Sequence, residues 1–115
     1  MTELLQYEFR QSLRFQVWRR SANPRAGIGL ADAKAALAQF EADLNQNVAM
    51  LVSCSLRDAV QRAEHLSNRH TMTGGHRSFD ILHIATALHL GAQELLTFDQ
   101  RQTRLAAAVG LKVKP

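Results

Sequence analysis

From Arg77 to Val113 the chain reads RSFDILHIATALHLGAQELLTFDQRQTRLAAAVGLKV, and no other stretch limits the fold so tightly. Ile81, Ile84, Ala85 and Leu88 recur at helical spacing; Ser78 is placed to cap that helix and Gly91 to end it in a left-handed turn. ELLTF (94–98) then reads as a strand, Gln102 to Val109 as a helix ended by Gly110, and LKV as a last short strand. Two strands joined through a helix by short connections run parallel, because the helix is the crossover. The pattern predicts an α/β chain with a parallel sheet flanked by helices. Ligands in such folds bind along the edge where strands end and the following helices begin.

The rest of the chain is helix-rich. Leu5, Phe9, Leu13 and Val17 predict a first helix over 3–18, and Pro24, Gly27 and Gly29 make 21–29 a loop. Leu30, Ala33, Leu37, Phe40 and Leu44 give a second helix; Leu56, Ala59, Val60, Ala63 and Leu66 give a third. Between them, VAMLVSCSL fits a strand or an irregular core segment, and HTMTGGH (70–76) is expected to be a flexible connection. With 115 residues, 46% of them apolar, residues 1–115 are expected to form one domain around a small core. No apolar run approaches the roughly 18 residues of a membrane span, and MTELLQYEFR lacks the charged and apolar regions of a signal peptide. We expect a cytoplasmic protein with no membrane partner. Cys54, the single cysteine, has no partner for an internal disulfide and is expected to be a small buried side chain.

Fourteen Lys and Arg against ten acids leave a net charge of +4, which favours an anionic partner. Arg10, Arg14 and Trp18 follow one another every four residues, with Arg19 and Arg20 behind them, so cations and an aromatic ring share a helical face. That face suits phosphate and RNA contact; it equally suits a solvated arginine surface with Trp18 partly in the core.

Two aspartates mark the predicted edge. Asp99 follows a strand and Asp80 lies in the first turn of a helix. Carboxylates brought together at helix starts repel each other, and a divalent cation with oxygen ligands would remove that cost. As plain structural residues, Asp99 would be a helix cap completed by Gln102 in a capping box, and Asp80 would complement the helix dipole. Glu8 borders the apolar stripe of the first helix, where it either points into a shared site or pairs with a nearby arginine. His83, three residues after Asp80, could in principle join it on a transition metal, but no Cys or second Asp/Glu-x-x-His motif accompanies it, which favours a helix-packed or partly exposed histidine. The remaining histidines show no ligand spacing and read as surface residues.

The run from Arg77 to Val113 resembles the C-terminal half of PIN domains, particularly the VapC-like ribonuclease toxins of bacterial toxin–antitoxin pairs. TELLQYEFRQSLR resembles the helix bearing their second acid. The resemblance implies a PIN-like fold in which Asp80, Asp99 and Glu8 match the family's acids. The two aspartates would ligate Mg²⁺ or Mn²⁺, and Glu8 would be a ligand or a water-orienting base. Thr97 matches a position that often holds a hydroxyl near the site, and Arg77 is a candidate phosphate contact. The implied function is metal-dependent RNA cleavage held in check by an antitoxin protein.

The family's opening strand, with its first aspartate in a context such as DTS, has no counterpart before MTELLQYE. We therefore expect an N-terminally truncated domain, arising from a misplaced start, a gene remnant, or a chain completed by another copy. Without that strand the apolar faces of Leu5, Phe9, Leu13, Ile81, Ile84 and Leu88 should lose part of their cover, which favours a homodimer or higher oligomer. The alternative function is a non-catalytic nucleic-acid or protein interaction module derived from a PIN domain.

Overall fold

Thr2 begins the first element, its hydroxyl accepting the Leu5 N–H at 3.3 Å. The computed structural model describes residues 1–97 and 99–114 and divides the chain into two compact units, Met1–Ser53 and the residues from Cys54 onward. In the first unit, α1 (Glu3–Ala22) is followed by a loop and by α2 (Leu30–Asn45). The predicted apolar stripe of α1 packs only in part, since Leu5 is 38% exposed and none of the described α1 residues is fully buried. Phe9 makes the clearest contact, its ring 4.7 Å from that of the buried Phe40 on α2.

The connection between these helices is tied back onto α1. The Arg20 guanidinium donates to the carbonyls of Ala26 at 2.8 Å and Gly27 at 3.1 Å, and the Ile28 N–H donates to the Gln16 carbonyl at 3.2 Å. Gly27 is required there. Its φ is +65°, and a Cβ would lie 2.0 Å from the Gln16 oxygen.

The stretch after α2 is not a strand. Asn47 takes a φ of 59°, and the amides of Val48 and Ala49 both donate to the Asp43 carbonyl, so the segment's first residues close the helix end. Beyond them Val52 N–H donates to the Met1 carbonyl, but among the described residues no partner strand supplies the ladder an extended segment needs. Nor is the segment core: Val48 is 73% exposed and Met50 64%. Cys54 is half-buried where full burial was expected.

The second unit runs α3 (Leu56–Gly74), α4 (Ser78–His89), β1 (Glu94–Leu96), α5 (Gln100–Ala108) and β2 (Lys112–Lys114). Its core is Leu66 of α3, Ile81, Ile84 and Ala85 of α4, Leu105 and Ala106 of α5, and Leu111. Ile81 and Ile84 are fully covered there, so the expectation that they lose cover is overturned; each element presents its apolar side to the others within this unit. The parallel pairing of the strands is as predicted, with Glu94 opposite Lys112 and Leu96 opposite Lys114, and a Lys114–Glu94 ion pair at 3.1 Å crosses them. The predicted strand's last residue, Phe98, lies outside the described residues.

Glycines set most of the boundaries in this unit. The supposed flexible connection at 70–76 is largely helix, because the helix continues to Gly74 and stops only where Gly75 takes a φ of +68°. The His76 ring then folds over Gly74, and a side chain there would have to displace it. Gly91 and Gly110 end α4 and α5 by one device: the Ala92 N–H reaches the Ala87 carbonyl, and the Leu111 N–H reaches that of Ala106. Ser78 is the first helical residue of α4, not its cap; Arg77 holds the cap position without a side-chain capping bond. Among the described residues no helix is long and apolar enough to cross a membrane.

Candidate functional site

The two aspartates meet through a residue that sequence reasoning assigned only to capping. Asp99 is the N-cap of α5, its Oδ1 accepting the Arg101 N–H at 2.7 Å and the Gln102 N–H at 3.3 Å. A capping box would send the Gln102 side chain back to the Asp99 N–H. Instead the Thr97 hydroxyl accepts that N–H at 3.1 Å, and the Gln102 side chain is released to work elsewhere. Its Nε2 donates to Asp80 Oδ1 at 3.0 Å, across 22 residues of sequence, and its Oε1 accepts the Thr97 hydroxyl at 2.8 Å.

Asp80, Thr97, Asp99 and Gln102 thus form one hydrogen-bonded cluster where β1 runs into α5, beside the first turn of α4. Asp80 is half-buried and Asp99 exposed. Each carboxylate uses Oδ1 in the bonds above and keeps a second oxygen. Capping and ligation are therefore compatible at Asp99, since capping occupies one oxygen only.

Such a donor set fits a small divalent ion. Mg²⁺ is commonly held by one or two carboxylates, with waters and substrate phosphate oxygens completing its shell. Among the described residues no group of three or more His, Cys, Asp or Glu side chains gathers as a metal cage. Asp80 and Asp99 offer hard oxygen donors without such a cage. His83 lies on the interior of α4, 8% exposed, its ring 6.3 Å from that of Phe79.

Next to the start of α4 lies a cleft of about 210 Å³, lined on the α3 side by Glu64, Ser67 and Thr71 and closed by His76 and Ser78. Val60, Ala63 and Ile81 line the rest of it, and the Glu64 carboxylate disfavours a phosphate there. Arg77, adjacent in sequence, is exposed.

The other expected residues stand on α1, in the first unit. Glu8 is half-buried. Arg10 is paired with Glu41 of α2, which offsets its charge. Arg14 is exposed at the rim of an apolar cavity of about 170 Å³ that Lys34 also lines. Trp18 is 60% exposed and stacks 5.4 Å from Phe15, so the reading that placed it partly in the core does not hold. Arg20 serves the loop through Ala26 and Gly27.

A family model described as PIN domain matches residues 2–108, reaching from the start of α1 through the whole of α5 and so spanning both units. No match was found among curated proteins or among solved structures.

Proposed function

The chain belongs to the PIN-domain family, whose members are generally nucleases dependent on divalent metal, and from that premise we propose that it is a metal-dependent endoribonuclease of the VapC-like toxin type. The observation that carries the reading is the link from Asp80 through Gln102 to Asp99, which gathers two carboxylates at the strand-to-helix edge where an α/β fold binds its ligand. In this reading one PIN domain runs through both units.

Asp80 and Asp99 would hold Mg²⁺ or Mn²⁺, with Glu8 as a further ligand or as the base that orients the attacking water. The ion, when bound, supplies positive charge against the charge that builds on the phosphate oxygens. Asp80 is held in place by the Gln102 amide, and Asp99 by the amides of the first α5 turn. Thr97 supports both through Gln102 and the Asp99 N–H. Arg77, exposed just before α4, would contact the RNA backbone. The natural setting is the cytoplasm, with an antitoxin protein as the partner that restrains cleavage. The exposed apolar run of Val48, Met50, Leu51 and Val52 supports a protein partner, either that antitoxin or a further copy in a homodimer or larger oligomer.

The test is cleavage of structured and unstructured RNAs by the purified protein with Mn²⁺. Activity should vanish in Asp80→Asn and in Asp99→Asn; cleavage that survives both substitutions refutes the site.

A second reading, a non-catalytic RNA-binding module, is favoured by the exposed Arg14 and Trp18 on α1 of a chain with net charge +4. It requires RNA binding that weakens steeply with salt and ignores Mg²⁺ and Mn²⁺.

A further inference from the structure

The hydrogen bonds around Gln102 have only one consistent direction. A carboxylate is acceptor-only, so the amide group facing Asp80 must be Nε2, which donates at 3.0 Å. Oε1 then necessarily faces Thr97, and at 2.8 Å the Thr97 hydroxyl must be its donor. The hydroxyl proton is thereby committed, leaving an oxygen lone pair to receive the Asp99 N–H at 3.1 Å, which it does. The chain runs from the Asp99 amide to the Thr97 hydroxyl, to the Gln102 amide, to the Asp80 carboxylate. No member can reverse without leaving another unsatisfied.

From this we infer that Gln102 is a positioning residue, locking the Asp80 carboxylate relative to Asp99 so that the free oxygens of both are set for one cation. The residue is fitted to the task by its place in the helix. As the third residue of α5 its backbone N–H is among those that Asp99 caps, so one residue grips both carboxylates, Asp99 by its main chain and Asp80 by its side chain. Asparagine at this position would carry the same groups on a shorter arm. Methionine would keep the length and the backbone bond to Asp99 and lose both side-chain bonds.

The part of this inference that concerns a cation rests on the nuclease reading; the lock itself does not, and two measurements separate them. In metal-free protein the Gln102 side-chain amide, assigned by its loss in Gln102→Met, should give two proton resonances displaced from those of a free glutamine amide, with slowed exchange with water. They should collapse toward those of a free amide in Thr97→Val. A freely exchanging amide in the unmutated protein overturns the lock, whatever happens with metal.

In calorimetric titration with Mn²⁺, Gln102→Met should weaken binding about 10- to 100-fold, the usual loss when the group that orients a metal ligand is removed. Thr97→Val should weaken binding by a smaller factor. The double variant should lose less than the sum of the two single losses, because Thr97 reaches Asp80 only through Gln102, although its bond from the Asp99 N–H is a separate contribution. A merely structural glutamine would lower the melting temperature and leave Mn²⁺ affinity unchanged, and that result, or strict additivity, refutes the positioning role. If the unmutated protein takes up no Mn²⁺ at all, the nuclease reading falls, and the amide resonances still decide the role of Gln102.

Discussion

Replacing Asp99 by Ala and by Asn separates its two roles, because the substitutions remove different things. Asp99 Oδ1 accepts one good backbone bond, from Arg101 at 2.7 Å, and one long one, from Gln102 at 3.3 Å. Losing such a cap costs about 1 kcal/mol, and losing a negative charge at an exposed helix start costs about 0.5 kcal/mol more. Alanine loses both, whereas asparagine caps nearly as well as aspartate and loses only the charge. In a domain of this size 1 kcal/mol moves the melting temperature by roughly 4–8 °C. Asp99→Ala should therefore melt about 6–12 °C lower, and Asp99→Asn about 2–4 °C lower. Mn²⁺ at a hundred times its dissociation constant should stabilise the unmutated protein by about 2.7 kcal/mol. Both variants should lose that rise, asparagine included, because a neutral amide does not replace an anionic oxygen ligand. Differential scanning fluorimetry with and without Mn²⁺ reads all of these together. If the asparagine variant melts as low as alanine, the cap has been misjudged; if it keeps the full Mn²⁺ rise, Asp99 is not a ligand.

Two further outcomes test the fold beneath the site. Ile84 is 0% exposed in the core of the second unit, so Ile84→Ala should cost about 2–5 kcal/mol, read as a lower urea midpoint at unchanged slope; a loss below 1 kcal/mol would mean that the core is not packed as described. Gly27→Ala should cost about 1–3 kcal/mol, since the residue must keep a φ of +65° while its new methyl meets the Gln16 carbonyl; an unchanged melting curve would refute the close approach of that loop to α1.

The order of elements from α4 to β2 was legible because several local signals agree there. The apolar spacing of Ile81, Ile84 and Ala85, the glycines at 91 and 110, and the short strands each constrain the same answer, and the parallel pairing follows from the helix between the strands. Where one signal stood alone it misled. Gly74 and Gly75 suggested a flexible connection, yet a glycine at a helix end is a stop, and Gly75 serves as one. VAMLVSCSL has strand composition, but β structure depends on a neighbouring strand that composition does not reveal, and the segment is irregular.

The site divides along the same line. Asp80 and Asp99 could be singled out because each lies at an element boundary that local patterns define, and boundaries fall at the binding edge of this kind of fold. The polarity of Gln102 toward Asp80 could not be read, since the two are 22 residues apart and the local signal, a glutamine three residues after an N-cap, points to the capping box. One residue displaces that box. Thr97 supplies the acceptor that the Asp99 N–H needs, and with that demand met by a side chain from the strand side, the Gln102 amide is free to bridge to another helix. A hydroxyl two residues before an N-cap aspartate, with glutamine three residues after it, is therefore a pattern in which the glutamine should be sought near a second acid. The placement of Thr97 decides whether Gln102 stabilises its own helix or organises the carboxylates, and for that reason Thr97→Val is predicted to act on Asp80 without touching it.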